Sequence, residues 1–506
     1  MSDWTAVRRQ AANRRRRVIF NNDGDDVFLA EAPTPESFLA VRCTGIEGTH
    51  VDTYVYSSLS NFDSCVHDSR VAEINRIENP WAFSRNHTQA LIDQGHDSLS
   101  LVVGFCRAHG IEVFWSARMN DMHDNWSPQN MTRFRREHPE LRLWREGDYG
   151  RRGDGTVEPH MYALAMDYGH EEIRRRQYET ILDVCERYDV DGVELDFMRE
   201  PVHFRPNMEG RPAEAEHLAL MTGFVHRVRA AADGAGQKRG RPILISARVP
   251  NLLDRCRYIG LDVKQWIEEH LLDMVIPSLE FTPFTGDITG IAALAHAHDV
   301  PVYACIGGGV DGIGGCGGVE GWAAATINAL GSGADGIATF NQFDPHFPGW
   351  RVLGDPATLR KAAKVYSLDD FRAVMSTHEH VVDRRALLPV PLAYGVATDV
   401  LLPVREDVGA VPRKAAPTLW MKIDGCAFGD RVELRLNGKP LKPEMMEATQ
   451  GCAPLAVGNV LYRADVDAAA LIRGNNRVSI SVAAIQPRTA APVLSALRLK
   501  VHEGLA

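Results

Sequence analysis

One pattern recurs along most of the chain: a short β-branched or apolar run, a polar loop, then a helical stretch. The runs are Arg17-Val-Ile-Phe20, His50-Val-Asp-Thr-Tyr-Val-Tyr56, Ile111-Glu-Val-Phe-Trp-Ser116, Val190-Asp-Gly-Val-Glu-Leu-Asp-Phe197, Pro242-Ile-Leu-Ile-Ser-Ala-Arg248, Asp273-Met-Val-Ile-Pro-Ser-Leu-Glu280, Pro301-Val-Tyr-Ala-Cys-Ile306 and Asp335-Gly-Ile-Ala-Thr-Phe-Asn341. Between them, residues 167–189, 213–233, 262–272, 287–298, 319–331 and 356–376 carry apolar residues at helical spacing. Ile181, Cys185 and Tyr188, for example, share one face. Strand alternating with helix implies parallel strands joined by crossovers, and eight such units are the count of a (β/α)8 TIM barrel. An open doubly wound sheet is the rival, but no GxGxxG follows the first run.

The character changes near residue 385. Leu387-Leu-Pro-Val-Pro-Leu392 is a Pro-punctuated connector. After it, Thr418-Leu-Trp-Met-Lys-Ile423, Arg431-Val-Glu-Leu-Arg-Leu436, Val478-Ser-Ile-Ser-Val482 and Ala496-Leu-Arg-Leu-Lys-Val501 alternate with period 2, and Asn437-Gly438 is a hairpin turn. Gly474-Asn-Asn-Arg-Val-Ser-Ile-Ser-Val482 resembles the strand entry of jelly-roll domains appended to glycosidases. The expected α/β architecture is a basic tail over 1–16, a (β/α)8 barrel over 17–385 and a small β-sandwich over 390–506. The six arginines before the first strand read as a solvated tail.

Composition narrows the partners. The 506 residues carry 56 Lys+Arg against 66 Asp+Glu, a net charge of −10, without the basic excess expected for nucleic-acid binding. No apolar stretch approaches the roughly 20 residues of a membrane helix. The nine cysteines show no CxxC pair and fit reduced, buried thiols in a cytoplasmic protein, with no zinc-type spacing. Oligomeric state is not legible, because barrel packing accounts for the apolar helix faces.

In a barrel enzyme the site forms where strands end and βα loops begin. Those ends deliver Asn21, Asp23 and Asp25; Tyr54; Trp115, Arg118, Asn120, Asp121 and His123; Glu194, Asp196 and Arg199; Arg248; Glu280; and Asn341 and Asp344. Glu194 and Asp196 are two residues apart and point to the same side of their strand. A charge inside a barrel must be paired or functional.

Asp191-Gly-Val-Glu-Leu-Asp-Phe-Met-Arg-Glu-Pro201 resembles the DG-x-x-x-D-x-x-R-x-P motif of bacterial glycoside-hydrolase-like barrels distantly related to the alpha-amylases. Asn21-Asn-Asp-Gly-Asp-Asp26 and Phe114-Trp-Ser-Ala-Arg-Met-Asn-Asp-Met-His-Asp124 are similar to stretches of family-10-like glycosyl hydrolases. The resemblance spans about residues 17–345. It implies a glycoside hydrolase with Asp196 as nucleophile. The fifth strand, ending Ser246-Ala-Arg-Val-Pro250, lacks the acid/base Glu of amylase-like barrels, and Gly307-Gly-Gly309 replaces their seventh-strand Asp. Chitinase-type barrels place a Glu where this chain has Met198, which cannot donate a proton.

The expected chemistry is a carboxylate pair acting on a poly- or oligosaccharide, with no cofactor and no metal. Asp196 comes first, with Glu280 or Asp121 as partner. Asn21, Asp23, Asp25, Asn120, His123, Asn341 and Asp344 suit hydroxyl recognition, and Trp115 or Tyr54 suits ring stacking. Arg118, Arg199 and Arg248 serve either an acidic sugar or the site's own acids. Two rivals are a metal-dependent hydrolase or lyase, built on Asn120–Asp124 with Asp23, Asp25 and Asp26, and a barrel that binds glycans without cleaving them.

Overall fold

The computed structural model describes all residues except 1–2, 79–82, 126–127, 145–148, 152–156, 160–163, 279–283, 285, 308–317, 372–373, 375, 383–386, 428, 449–456, 486–489 and 506. Its first body is a barrel of parallel strands: β1 (Val18–Asn22), β2 (Val51–Tyr56), β3 (Glu112–Arg118), β4 (Gly192–Asp196), β5 (Leu244–Pro250), β6 (Met274–Ser278), β7 (Tyr303–Gly307) and β8 (Gly336–Phe340). They neighbour one another in the order 6-5-4-3-2-1-8-7. A parallel bridge between Val275 and Val302 closes the ring. Helices α1 (Asp3–Ala12), α2 (Pro35–Arg42), α3 (Ser98–His109), α4 (Glu171–Arg187), α5 (Ala215–Arg239), α6 (Val263–Glu268), α7 (Thr289–His296) and α8 (Val319–Gly331) precede and connect the strands. Local signals set their ends. Asp97 caps α3 in a capping box, and Gly110, at φ 67°, ends it.

The two sides of each strand face different cores. Ile19, Val55, Phe114, Leu244, Met274, Tyr303, Cys305 and Phe340 form a small separate cluster inside the ring. Tyr54, Tyr56, Val113 and Trp115, on the alternate positions, belong to the large cluster outside it. Register aligns Ser116 with Glu194 and Ser246 in one row, and Arg118 with Asp196 and Arg248 in the next.

The N-terminal segment is not the solvated tail expected of it. Ala11 and Ala12 of α1 pack on the inner cluster. Arg8 is buried and paired with Asp233 and Asp273. Arg16 is 1% exposed and forms a bidentate pair with Glu112, whose Oε2 also accepts from Thr53. An arginine run gives no sign of such partners, because all of them come from distant elements.

A second difference follows β8. The helix expected over 356–376 stops at Lys361. Residues Lys364–Ser367 form β9, which pairs antiparallel with β18 (Val493–Val501). Val365 and Tyr366 favour a strand where an open edge is available. The C-terminal domain has two antiparallel sheets, which also hold the short strands β10 (Val390–Pro391), β14 (Lys439–Leu441) and β15 (Glu444–Ala448). In one, β18 lies between β9 and β12 (Thr418–Ala427), and β12 continues to β16 (Val457–Asp465). In the other, β17 (Gly474–Ala483) lies between β11 (Thr398–Val404) and β13 (Arg431–Leu436). Asn328 of α8 ties the barrel to it, donating to Pro403 O and accepting from Arg405 N. The seven described cysteines are buried thiols. No helix among the described residues is long and apolar enough to cross a membrane.

Candidate active site

A cavity of about 250 Å³ opens at the C-terminal end of the barrel. Asp23 and Asp25 reach it from the loop after β1, Arg118 from the end of β3, His123 and Arg199 from the following loops, and Asn341 from the end of β8. The connection after β2 adds Ser60, Asn61, Asn75 and Phe83, and Asn130, Phe28 and Phe343 complete the wall.

The β1 loop is held in place by a close approach. Gly24, at φ 83°, lies so near the chain after β2 that a Cβ would sit 1.8 Å from Ser57 O. Only glycine meets both demands. Asn22 Oδ1 accepts from Gly24 N and from Arg42, and its amide donates to Asp26. The Gly24→Ala chain is expected to lose about 3 kcal/mol of stability from the clash and the positive φ. Denaturant midpoints of the purified variant and wild type check this.

Charges in the cavity are paired off. Arg118 bridges Asp23 and Asp121, at 2.8 and 2.9 Å. Arg199 bonds His123 Nε2 at 2.6 Å and approaches Asp121 at 3.4 Å. Burial pushes Asp23 up, but the fields of Arg118, Arg199 and Arg42 outweigh it and hold this carboxyl below its ordinary range. Asp25 goes the other way. Burial raises it, Asp23 adds to the rise, and the field of Arg42 offsets only part. That arginine stands 3.5 Å away with its guanidinium over the Phe343 ring. The Asp25 side chain is 31% exposed, so water tempers the rise.

Other expected residues have different work. Asp196 does not line the cavity: both its oxygens take a bidentate grip from Arg248, at 2.9 and 2.8 Å. Oδ1 also accepts from the amides of Met198 and Arg199. In this arrangement Asp196 braces the strand end, and Arg248, stacked 4.2 Å from the Phe340 centroid, is its partner. Asp121 is fully buried. Burial raises it, but His123, Arg118 and Arg199 hold it well below the carboxylate range, which favours the ionised form. Glu280 lies outside the described residues. Asn120 donates to Met166 O and Val202 O and accepts from Met166 N, a brace between loops. Tyr54 and Trp115 are buried on the outer face of their strands, bonded to Asn22 and Ser58, so neither presents a ring to the cavity. Asp344 is an exposed turn residue accepting from His346 N. Asn21 is buried inside the ring beside Thr339, outside the cavity wall.

Glu194 accepts from Ser116 Oγ at 2.7 Å. Burial and the neighbouring Asp196 push it up from 4.5 to about 7, against the field of Arg248. The folded chain therefore keeps a proton that the unfolded chain releases. Stability from this group is complete below about pH 4.5 and is lost as pH rises through about 7. At its full size the loss is about 3 kcal/mol. Glu194→Gln is expected to flatten that decline, read as unfolding free energies of both proteins at pH 5 and pH 8. Equal slopes would refute this assignment.

Arg42, Phe28, Phe83, Phe343, Asn61, Asn75 and Asn130 were not expected. One sequence signal pointed to part of the set: the long connection from Ser57 to His87, of a length that usually has a function. Among the described residues, no group of three or more His, Cys, Asp or Glu is arranged to hold a metal ion. Asp121 and His123 face each other and the arginines instead.

No family model matches the chain, and no curated protein matches it. Among solved structures it is similar to alpha-L-fucosidase isoenzyme 2 from Paenibacillus thiaminolyticus, at 14% identity and a TM-score of 0.41 over 75% of this chain and 51% of that one. It is similar to the PgaB (BpsB) glycoside hydrolase domain from Bordetella bronchiseptica, at 11% and 0.41 over 67% and 98%. A family GH18 chitinase from Chromobacterium violaceum matches at 10% and 0.33 over 98% and 89%. The chain spans about half the length of the fucosidase. At these scores the likeness carries no functional weight.

Proposed function

We propose that this chain is a glycoside hydrolase whose acid and base are Asp25 and Asp23. One observation carries the reading: two carboxyl groups on one cavity wall are pushed in opposite directions, Asp23 down by Arg118 and Asp25 up by burial. Such splitting is how a site obtains a protonated acid and an ionised base at one pH. Asp25 donates its proton to the glycosidic oxygen as the bond to the anomeric carbon breaks. Asp23 faces the positive charge developing on the sugar or takes the proton of the attacking water. Arg118 keeps Asp23 ionised. Asp196 and Arg248 hold the strand ends in register beneath it.

Reducing-sugar release from a panel of neutral and uronic glycans tests this, with wild type, Asp25→Asn, Asp23→Asn and Asp196→Asn side by side. Cleavage of one substrate by the wild type, lost in the first two variants, supports the reading. Cleavage at wild-type rate by Asp25→Asn removes that residue from the mechanism. Tight binding without turnover makes the barrel a glycan-binding protein.

A further inference from the structure

The amide side chains of the cavity differ in one respect. Asn61 and Asn75 are committed. Asn61 donates to Asn130 O and accepts from Asp124 N. Asn75 donates to Ser60 and accepts from Ile77 N and Asn86. Asn130 and Asn341 are different: each has a buried Oδ1 with no partner among the described residues. Asn130 is only 6% exposed, and Asn341 is held at φ 55°, a backbone that asparagine tolerates better than most residues. A buried carboxamide left short of a hydrogen bond is costly, and two on one cavity wall call for a ligand that supplies the missing bonds. A hydroxyl both donates and accepts, so it satisfies a carboxamide in either orientation.

Two further observations narrow the ligand. Phe28 and Phe83 stack at 5.1 Å on the same wall, an apolar surface of the kind that takes the C–H face of a ring. The cationic groups are already spent: Arg118 on Asp23 and Asp121, Arg199 on His123 and Asp121, Arg42 on Asp25 and Phe343. Among the described residues of the cavity, none is left over for a ligand carboxylate. The volume, about 250 Å³, falls below the roughly 300–1,000 Å³ of sites for drug-sized ligands.

We infer that the cavity takes one neutral sugar ring, with hydroxyls bonded to the carboxamides of Asn130 and Asn341 and its apolar face on the phenylalanines. Together with the hydrolase reading, on which this step rests, it makes the enzyme exo-acting: it releases one terminal neutral residue at a time.

Binding is measured by ligand-observed NMR titration of the full chain carrying Asp25→Asn. The probes are free neutral hexoses and 6-deoxyhexoses, the matching hexuronic acids, and linear oligosaccharides of the same sugars. At least one neutral monosaccharide is expected to bind one to one, with its uronic form at least tenfold weaker. Asn130→Ala and Asn341→Gly are each expected to weaken binding about fivefold. Glycine accommodates the positive φ at 341, so that variant removes the carboxamide without backbone strain. Unchanged affinity in both variants, tighter binding of the uronic acid, or no neutral monosaccharide bound would each overturn the inference. Wild-type cleavage of the aryl glycoside of the bound sugar is followed in parallel. Binding with no cleavage defeats the hydrolase reading alone. Cleavage of internal bonds with no monosaccharide bound overturns the inference and leaves the hydrolase reading standing.

Discussion

Asp25→Asn is expected to lower kcat by about 10²–10⁴-fold, the range general acid catalysis supplies, while sugar affinity changes little. Asparagine keeps the size and polarity of the side chain but has no proton to give. The pH profile carries the more specific expectation. An acid works only while protonated, so wild-type activity falls as pH rises through the Asp25 pKa. Burial and Asp23 place that limb above the ordinary 3.8. Asp23, held down by its arginines, sets the acidic limb. The residual activity of Asp25→Asn should lose the alkaline limb and keep the acidic one. The profile of kcat/KM against pH for wild type and variant checks this. An alkaline limb that persists in the variant belongs to another group.

The second large effect is on folding. Arg16→Met is expected to destabilise the chain by about 3–5 kcal/mol, the cost of leaving one member of a buried ion pair without its partner. Glu112 would keep its charge among apolar side chains, with Thr53 as its remaining hydrogen-bond donor among those described. The same guanidinium donates to Ala11 O, Ala12 O and Arg14 O, so its loss also frees the end of α1 from the barrel floor. The double variant Arg16→Met, Glu112→Gln should recover much of the loss, because no buried charge remains. Denaturant midpoints of wild type, both single variants and the double variant complete the cycle. Strict additivity would show that Arg16 acts through packing rather than through its charge.

The strand–helix alternation was legible because it is written in local periodicity. The strands of the barrel begin and end within a few residues of the runs that announced them. Period 2 also placed Glu194 and Asp196 on one side of β4, where the register with Ser116 and Arg248 puts them. The same parity assigns Tyr54 and Trp115 to the outer core, away from the mouth. Nearness to a strand end suggests ring stacking, but alternate residues face opposite ways and these two face outward.

The class of architecture and the end of the barrel at which polar chemistry collects are written in the chain. Both depend on spacing between neighbours in the chain. Tertiary structure alone decided which carboxylates remain available. Asp196 pairs with Arg248, Asp121 lies among His123 and two arginines, and Asp25 meets the Arg42 guanidinium at 3.5 Å. It also brought Asn130 and Asn341 to one wall and folded an arginine-rich segment into the barrel floor. The reason is physical. A side chain's protonation and pairing depend on charges within a few ångströms and on loss of water, and partners far apart in sequence set both.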